Sequence, residues 1–160
     1  MTNPSLPQRN DSVTRRSLAG RLLLAGTAGL TAFRASAAET PLDGVPRVAY
    51  HLSDREKVQF VLGNIDNHIK GMGGPDKVRI ALVVHGPALL EFAGKRANAD
   101  LTRRLNQAVS AGVELGACGN TLDAQSMEIA DLLPGFVRVD EGGVVRLAKL
   151  QADGWAYLRP

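Results

Sequence analysis

The 160-residue chain holds one cysteine and three histidines, and the chemistry open to it turns on where they fall. Cys118 lies in the run Val113-Glu114-Leu115-Gly116-Ala117-Cys118-Gly119-Asn120-Thr121-Leu122, which reads as a short strand, a tight turn and a helix start. A thiol there lies at the carboxyl end of a strand and the amino end of a helix, the crevice position for ligands in open parallel sheets. With no second cysteine it cannot close an intramolecular disulfide. It is a buried apolar residue, a reactive thiol, or half of an intermolecular bridge. His51 and His85 fall at the ends of two earlier apolar runs, Val48-Ala49-Tyr50-His51-Leu52 and Val78 to Val84. In a parallel sheet all such ends share one edge, so a Cys–His pair there could raise the thiolate fraction, provided the strands are neighbours. A histidine at a strand end also serves as an ordinary turn residue.

A free thiol, with a pKa near 8.5, is roughly 3% thiolate at neutral pH. One helix amino end contributes ~0.3–1 kcal/mol, well under one pKa unit. Asp123, on the first turn of the same helix, opposes even that. Strong activation therefore calls for His85, His51 or a cation from another subunit. Other motifs are lacking. Gly71-Met72-Gly73-Gly74 ends a helix instead of opening a phosphate loop, no cluster has zinc spacing, and no Gly-x-Ser-x-Gly elbow occurs. Neither a metal nor a cofactor is expected.

The elements that must position these residues alternate in type. The first strand, 48–52, leads to Ser53, which precedes Glu56 by three as in a capping box. The helix behind it carries Val58, Val61, Leu62, Ile65, Ile69 and Met72 on one face, a 3.6-residue period, and Gly73, Gly74 and Pro75 stop it. The apolar run Val78–Val84 suits a central parallel strand. His85-Gly86-Pro87 turns into a short helix, Ala88 to Ala93. Asp100 caps the next helix, which turns Leu101, Leu105, Ala108 and Val109 to one side. Asn120 or Thr121 caps a helix carrying Leu122, Ser126, Ile129 and Leu133 inward. Phe136–Val139 is a strand, Val144–Asp153 a helix and Trp155–Leu158 a final strand. Strands spaced by helices imply crossover units and a mostly parallel sheet.

The amino-terminal segment has a different character. Thr14-Arg15-Arg16-Ser17-Leu18, an apolar stretch to Phe33, and Ala35-Ser36-Ala37 follow the order of an export signal. The paired arginines resemble a twin-arginine signal, with cleavage near Ala37. The apolar stretch, about sixteen residues with Arg21 inside, is short for a membrane span. A periplasmic mature chain is expected, meeting the membrane only through the export machinery. Residues 1–37 hold five of the 19 basic and one of the 16 acidic residues, leaving 14 and 15. The basic charge thus belongs to the leader and is no nucleic-acid footprint. Residues 38–46, with Pro41, Gly44 and Pro46, form a flexible lead-in to one domain over 47–160.

Tyr50-His51-Leu52, Val83-Val84-His85-Gly86-Pro87, Gly116 to Leu122, Asp131-Leu132-Leu133-Pro134-Gly135 and Gly154-Trp155-Ala156-Tyr157 together resemble the DsrE/DsrF family, over about residues 46–160. The cysteine turn is the most specific part. The resemblance implies an α/β fold, a three-layer α/β/α sandwich on a mostly parallel five-stranded sheet of the DsrEFH/YchN-like kind, assembled as homotrimers or homohexamers. It also implies sulfur metabolism, with some relatives carrying sulfur as a persulfide on a cysteine at the position of Cys118. On that reading Cys118 accepts sulfane sulfur from a donor protein or passes it to an acceptor. His85 is its helper, and His51, Gly86, Gly119, Asn120 and Thr121 line the crevice. The chain is at most a sulfurtransferase-like carrier. The alternative is a non-catalytic oligomeric protein that binds a small ligand beside an unreactive Cys118. A redox thiol is a third reading, opposed by the lack of a resolving cysteine.

Overall fold

The computed structural model describes residues 44–160; the expected export signal and the first part of the expected lead-in lie outside the described residues. Five strands, β1 (Arg47–Leu52), β2 (Arg79–Val84), β3 (Glu114–Cys118), β4 (Phe136–Val139) and β5 (Ala156–Leu158), form one sheet in the order β4-β3-β2-β1-β5. Every pairing is parallel. Four α-helices connect them: α1 (Val58–Gly71), α2 (Ala99–Ser110), α3 (Gly119–Ala124) and α4 (Gly143–Ala152).

Right-handed crossovers explain the layering. Steps from β1 to β4 run in one direction across the sheet and put α1, α2 and α3 on one face. There Val61, Ile65, Leu105 and Leu122 pack on Val48, Tyr50, Leu82, Val84 and Leu115 in the main core. The last crossover runs back from β4 to β5, so α4 falls on the opposite face. Leu147 and Leu150 pack there on Ala49, Ala81 and Val83, with Trp155 alongside. The result is the expected three-layer α/β/α sandwich with a five-stranded parallel sheet. Its second helical layer is a single helix.

Several local expectations are revised. The Ser53–Glu56 capping box does not form, because the Ser53 hydroxyl donates to Asp54 Oδ1 at 3.0 Å and a 3-10 turn, Arg55–Lys57, precedes α1. The segment after His85 is a 3-10 turn, Gly86–Phe92, opened by Pro87. Asn98, not Asp100, caps α2: its side chain accepts from the Leu101 N–H at 2.8 Å, while Asp100 pairs with Arg103 and Arg104 within the first turns. The helix expected to reach Leu133 stops at Ala124, since Ser126 takes a positive φ of 51°. Leu132 then enters the core and Leu133 only packs against it.

Candidate functional site

Side chains alternate across a strand, and the parallel register carries that alternation from strand to strand. His51 pairs with Val83, and Val84 with Ala117. His51 therefore shares the α4 face with Ala49, His85 continues the Ala81–Val83 series, and Cys118 continues from Gly116. All three lie at one sheet edge and on one face. Helix α4 begins at that same edge, because it follows β4 directly. A Cβ built on Gly143, its first residue, would lie 3.4 Å from Cys118 Cβ and 3.4 Å from His85 Cβ and Cδ2. The start of α4 thus roofs both side chains.

Cys118 is itself the N-cap of α3, with φ −60° and ψ 117°. This corrects the expectation that Asn120 or Thr121 caps the helix: the turn is so tight that the helix starts at Gly119. Only glycine fits there, since a Cβ would sit 2.9 Å from the Val139 carbonyl oxygen. The thiol is buried, 6% exposed. Burial pushes its pKa up, but the Thr121 hydroxyl and the backbone N–H groups of Gly143, Thr121 and Asn120, grouped around the side chain, hold the thiol below its ordinary value, although the sulfur makes no capping hydrogen bond to the start of α3. Two helix starts thus converge on one sulfur, where the sequence offered one. The Gly86 N–H donates to Thr121 Oγ1 at 3.0 Å, which leaves the hydroxyl proton for the sulfur. Asp123, expected to oppose the thiolate, is clamped by Arg138 at 2.8 and 2.9 Å.

The histidines make a separate unit. His51 Nε2 and His85 Nε2 lie 2.5 Å apart, with the rings stacked at 4.6 Å. His51 Nδ1 meets Tyr157 Oη at 2.6 Å. Burial lowers the pKa of His51 to about 4, reinforced by the charges of His85 and Arg159 and opposed by Asp54. Burial, with Arg159, also lowers His85, again opposed by Asp54. Both rings are neutral at pH 7, and neither hydrogen-bonds Cys118. Gly86 lies in the turn at φ 58°. Asn120 leans on the α4 start, its amide nitrogen 2.6 Å from where a Gly142 Cβ would be. Among the described residues, no group of three His, Cys, Asp or Glu side chains is placed to hold a metal.

Gly143, Tyr157 and Arg159 were not singled out from the sequence. The Gly142-Gly143 pair opening a helix was the available signal for the first. Tyr157 and Arg159 come from β5, whose place beside β1 is set by the crossover.

The cradle yields an expected result for Thr121→Val. The Thr121 hydroxyl favours the charged form of the sulfur, so its loss raises the Cys118 pKa. The pH profile of alkylation rate measures this, and Thr121→Ser should restore it. An unshifted profile would remove Thr121 from the cradle.

A sequence profile described as the DsrE/DsrF-like family matches residues 48–160. No protein with a curated description matches the chain. Among solved structures, the protein of unknown function MTH1491 from Methanobacterium thermoautotrophicum is similar at 29% identity and TM-score 0.63, over 72% of this chain and 99% of that one. The ychN protein from E. coli shares the fold at 13% identity and TM-score 0.56, over 72% and 99% of the two chains. The conserved protein of unknown function BT1422 from Bacteroides thetaiotaomicron does so at 13% and 0.55, over 71% and 94%. With the profile spanning the sheet, all four α-helices and the cysteine turn, the chain belongs to the DsrE/DsrF-like family.

Proposed function

We propose that this chain is a sulfur carrier that holds sulfane sulfur as a persulfide on Cys118 after export to the periplasm. The observation behind it is the place of Cys118 at the joint start of two helices: it is the N-cap of α3, a Cβ on Gly143 at the start of α4 would lie 3.4 Å from its Cβ, and the Thr121 hydroxyl and three backbone N–H groups hold its pKa down. Such a cradle favours an anionic sulfur, and a persulfide is one. Loading needs no oxidant. The Cys118 thiolate attacks the outer sulfur of thiosulfate, the S–S bond breaks, and its electron pair leaves with sulfite. Intact mass after exposure to thiosulfate or inorganic polysulfide tests this, with an expected gain of about 32 Da per sulfur. The same spectrum on periplasmic protein reads whether the chain begins at Ala38 or Glu39. No adduct from either donor overturns the carrier reading, and a full-length chain overturns the cleaved leader.

The burial of Cys118 favours a second reading, a small-ligand-binding protein in which the thiol only lines the crevice. A thiol that resists alkylation until the protein unfolds would select it.

The carrier is proposed to act as a homotrimer or homohexamer. Helix α4 alone covers its face of the sheet and leaves a groove of about 510 Å³ beside β3 and β4, floored by Gly116, Val137 and Val139. Val137 and Val144 are each 68% exposed. Apolar surface of this kind is what a closed symmetric assembly buries. Light scattering at micromolar concentration should show a trimer or hexamer, and Val137→Lys with Val144→Lys should weaken it. A wild-type monomer would remove the claim.

A further inference from the structure

Resting on the persulfide reading, the geometry points to a proton relay, Tyr157–His51–His85, that serves the outer sulfur of the Cys118 persulfide during transfer to a thiol and takes no part in forming the thiolate. Four neighbouring strands supply the path. Tyr157 on β5 meets His51 on β1 at 2.6 Å, and His51 meets His85, just past β2, at 2.5 Å. His85 ends the chain under the Gly143 roof that it shares with Cys118 at the end of β3. Tyr157, 38% exposed, opens the other end to solvent.

The thiolate does not need this chain: the nitrogens that His51 and His85 engage are turned to Tyr157 and to each other, neither ring hydrogen-bonds Cys118, and the Thr121 hydroxyl and nearby amide groups are what lower the thiol pKa. The two histidines are neutral, so they add no positive charge beside the sulfur. A neutral imidazole has one nitrogen that accepts a proton and one that releases it. Linked imidazoles can therefore take up a proton at one point and return one at another.

The transfer step requires such an exchange. The sulfur of the acceptor thiol bonds to the outer sulfur of the persulfide. The S–S bond to Cys118 breaks, and its electron pair stays on Cys118 as thiolate in the amide cradle. The proton lost by the acceptor thiol is returned to the transferred sulfur. Cys118 is reduced from persulfide to thiolate while the acceptor is oxidised to a persulfide, so no further oxidant or reductant enters. Loading from thiosulfate moves no proton. The relay thus acts in one half-reaction only.

The test uses the full mature chain, with thiosulfate for loading and glutathione as acceptor, each half followed in a single turnover. His85→Gln and His51→Gln should slow transfer to glutathione by about a hundredfold, the low end of general acid–base contributions. Tyr157→Phe, which removes the oxygen that meets His51 Nδ1, should slow it by a smaller factor and shrink the solvent isotope effect. Loading rate and the pH profile of Cys118 alkylation should match wild type in all three variants. Wild-type transfer rates in the histidine variants, or equal losses in loading and transfer, would overturn the relay; so would a raised thiol pKa in His85→Gln. A wild-type chain that takes no sulfur overturns the persulfide reading itself.

Discussion

Cys118→Ser protein exposed to thiosulfate or polysulfide gains no sulfur, while keeping the fold and assembly of the wild type. The loss is complete because a hydroxyl is not ionised at neutral pH by a few hydrogen bonds, whereas a thiol starting near ~8.5 is. The fold survives for a local reason: position 118 is the N-cap of α3, and serine is among the preferred residues there. The variant should melt at or above the wild-type temperature. In the wild type, loading rate against pH should reach half its maximum below the ordinary thiol value, following the direction set by the cradle. Sulfur retained by the serine variant would place the acceptor elsewhere. Half-maximal loading at or above the free-thiol value would show that burial outweighs the donors.

The parts of this site that were legible in the sequence are those set by local pattern. The period of α1 and the apolar run of β2 name their elements without reference to anything distant, and in a parallel sheet such runs must end at one edge. That placed His51, His85 and Cys118 together. What could not be read depends on contacts between segments far apart in the chain. The 2.5 Å approach of the histidines requires β1 beside β2, and nothing in either run states strand order. The approach of Gly143 to Cys118 requires α4 to start over β3, which follows from the reversal of the last crossover. Tyr157 reaches His51 only because β5 returns to the far side of β1. Local rules also failed where two polar residues competed. Ser53 had Asp54 as a nearer partner than the helix N–H groups, and Asn98 stood two residues ahead of Asp100 for the same cap.

Acidification from pH 7 to pH 4 should cost the fold about 3 kcal/mol through His51 alone. The sign follows from proton binding. His51 has an ordinary value of 6.5 and a folded value of about 4. Between those values the unfolded chain binds a proton that the folded chain refuses, so stability falls as pH falls. The contribution is whole above about pH 6.5 and is lost as pH drops through the folded value. The cause is physical: protonating His51 places a charge in a buried position against His85 and near Arg159, with Asp54 offering partial relief. His85 is lowered in the same direction and deepens the loss. For a domain whose total stability is ~5–15 kcal/mol, this is a large share. Urea unfolding at several pH values between 7.5 and 4 measures it. The slope should flatten in His51→Gln, which keeps a polar side chain but cannot titrate in this range. An equal slope in that variant would assign the acid sensitivity to other groups and remove His51 as its source.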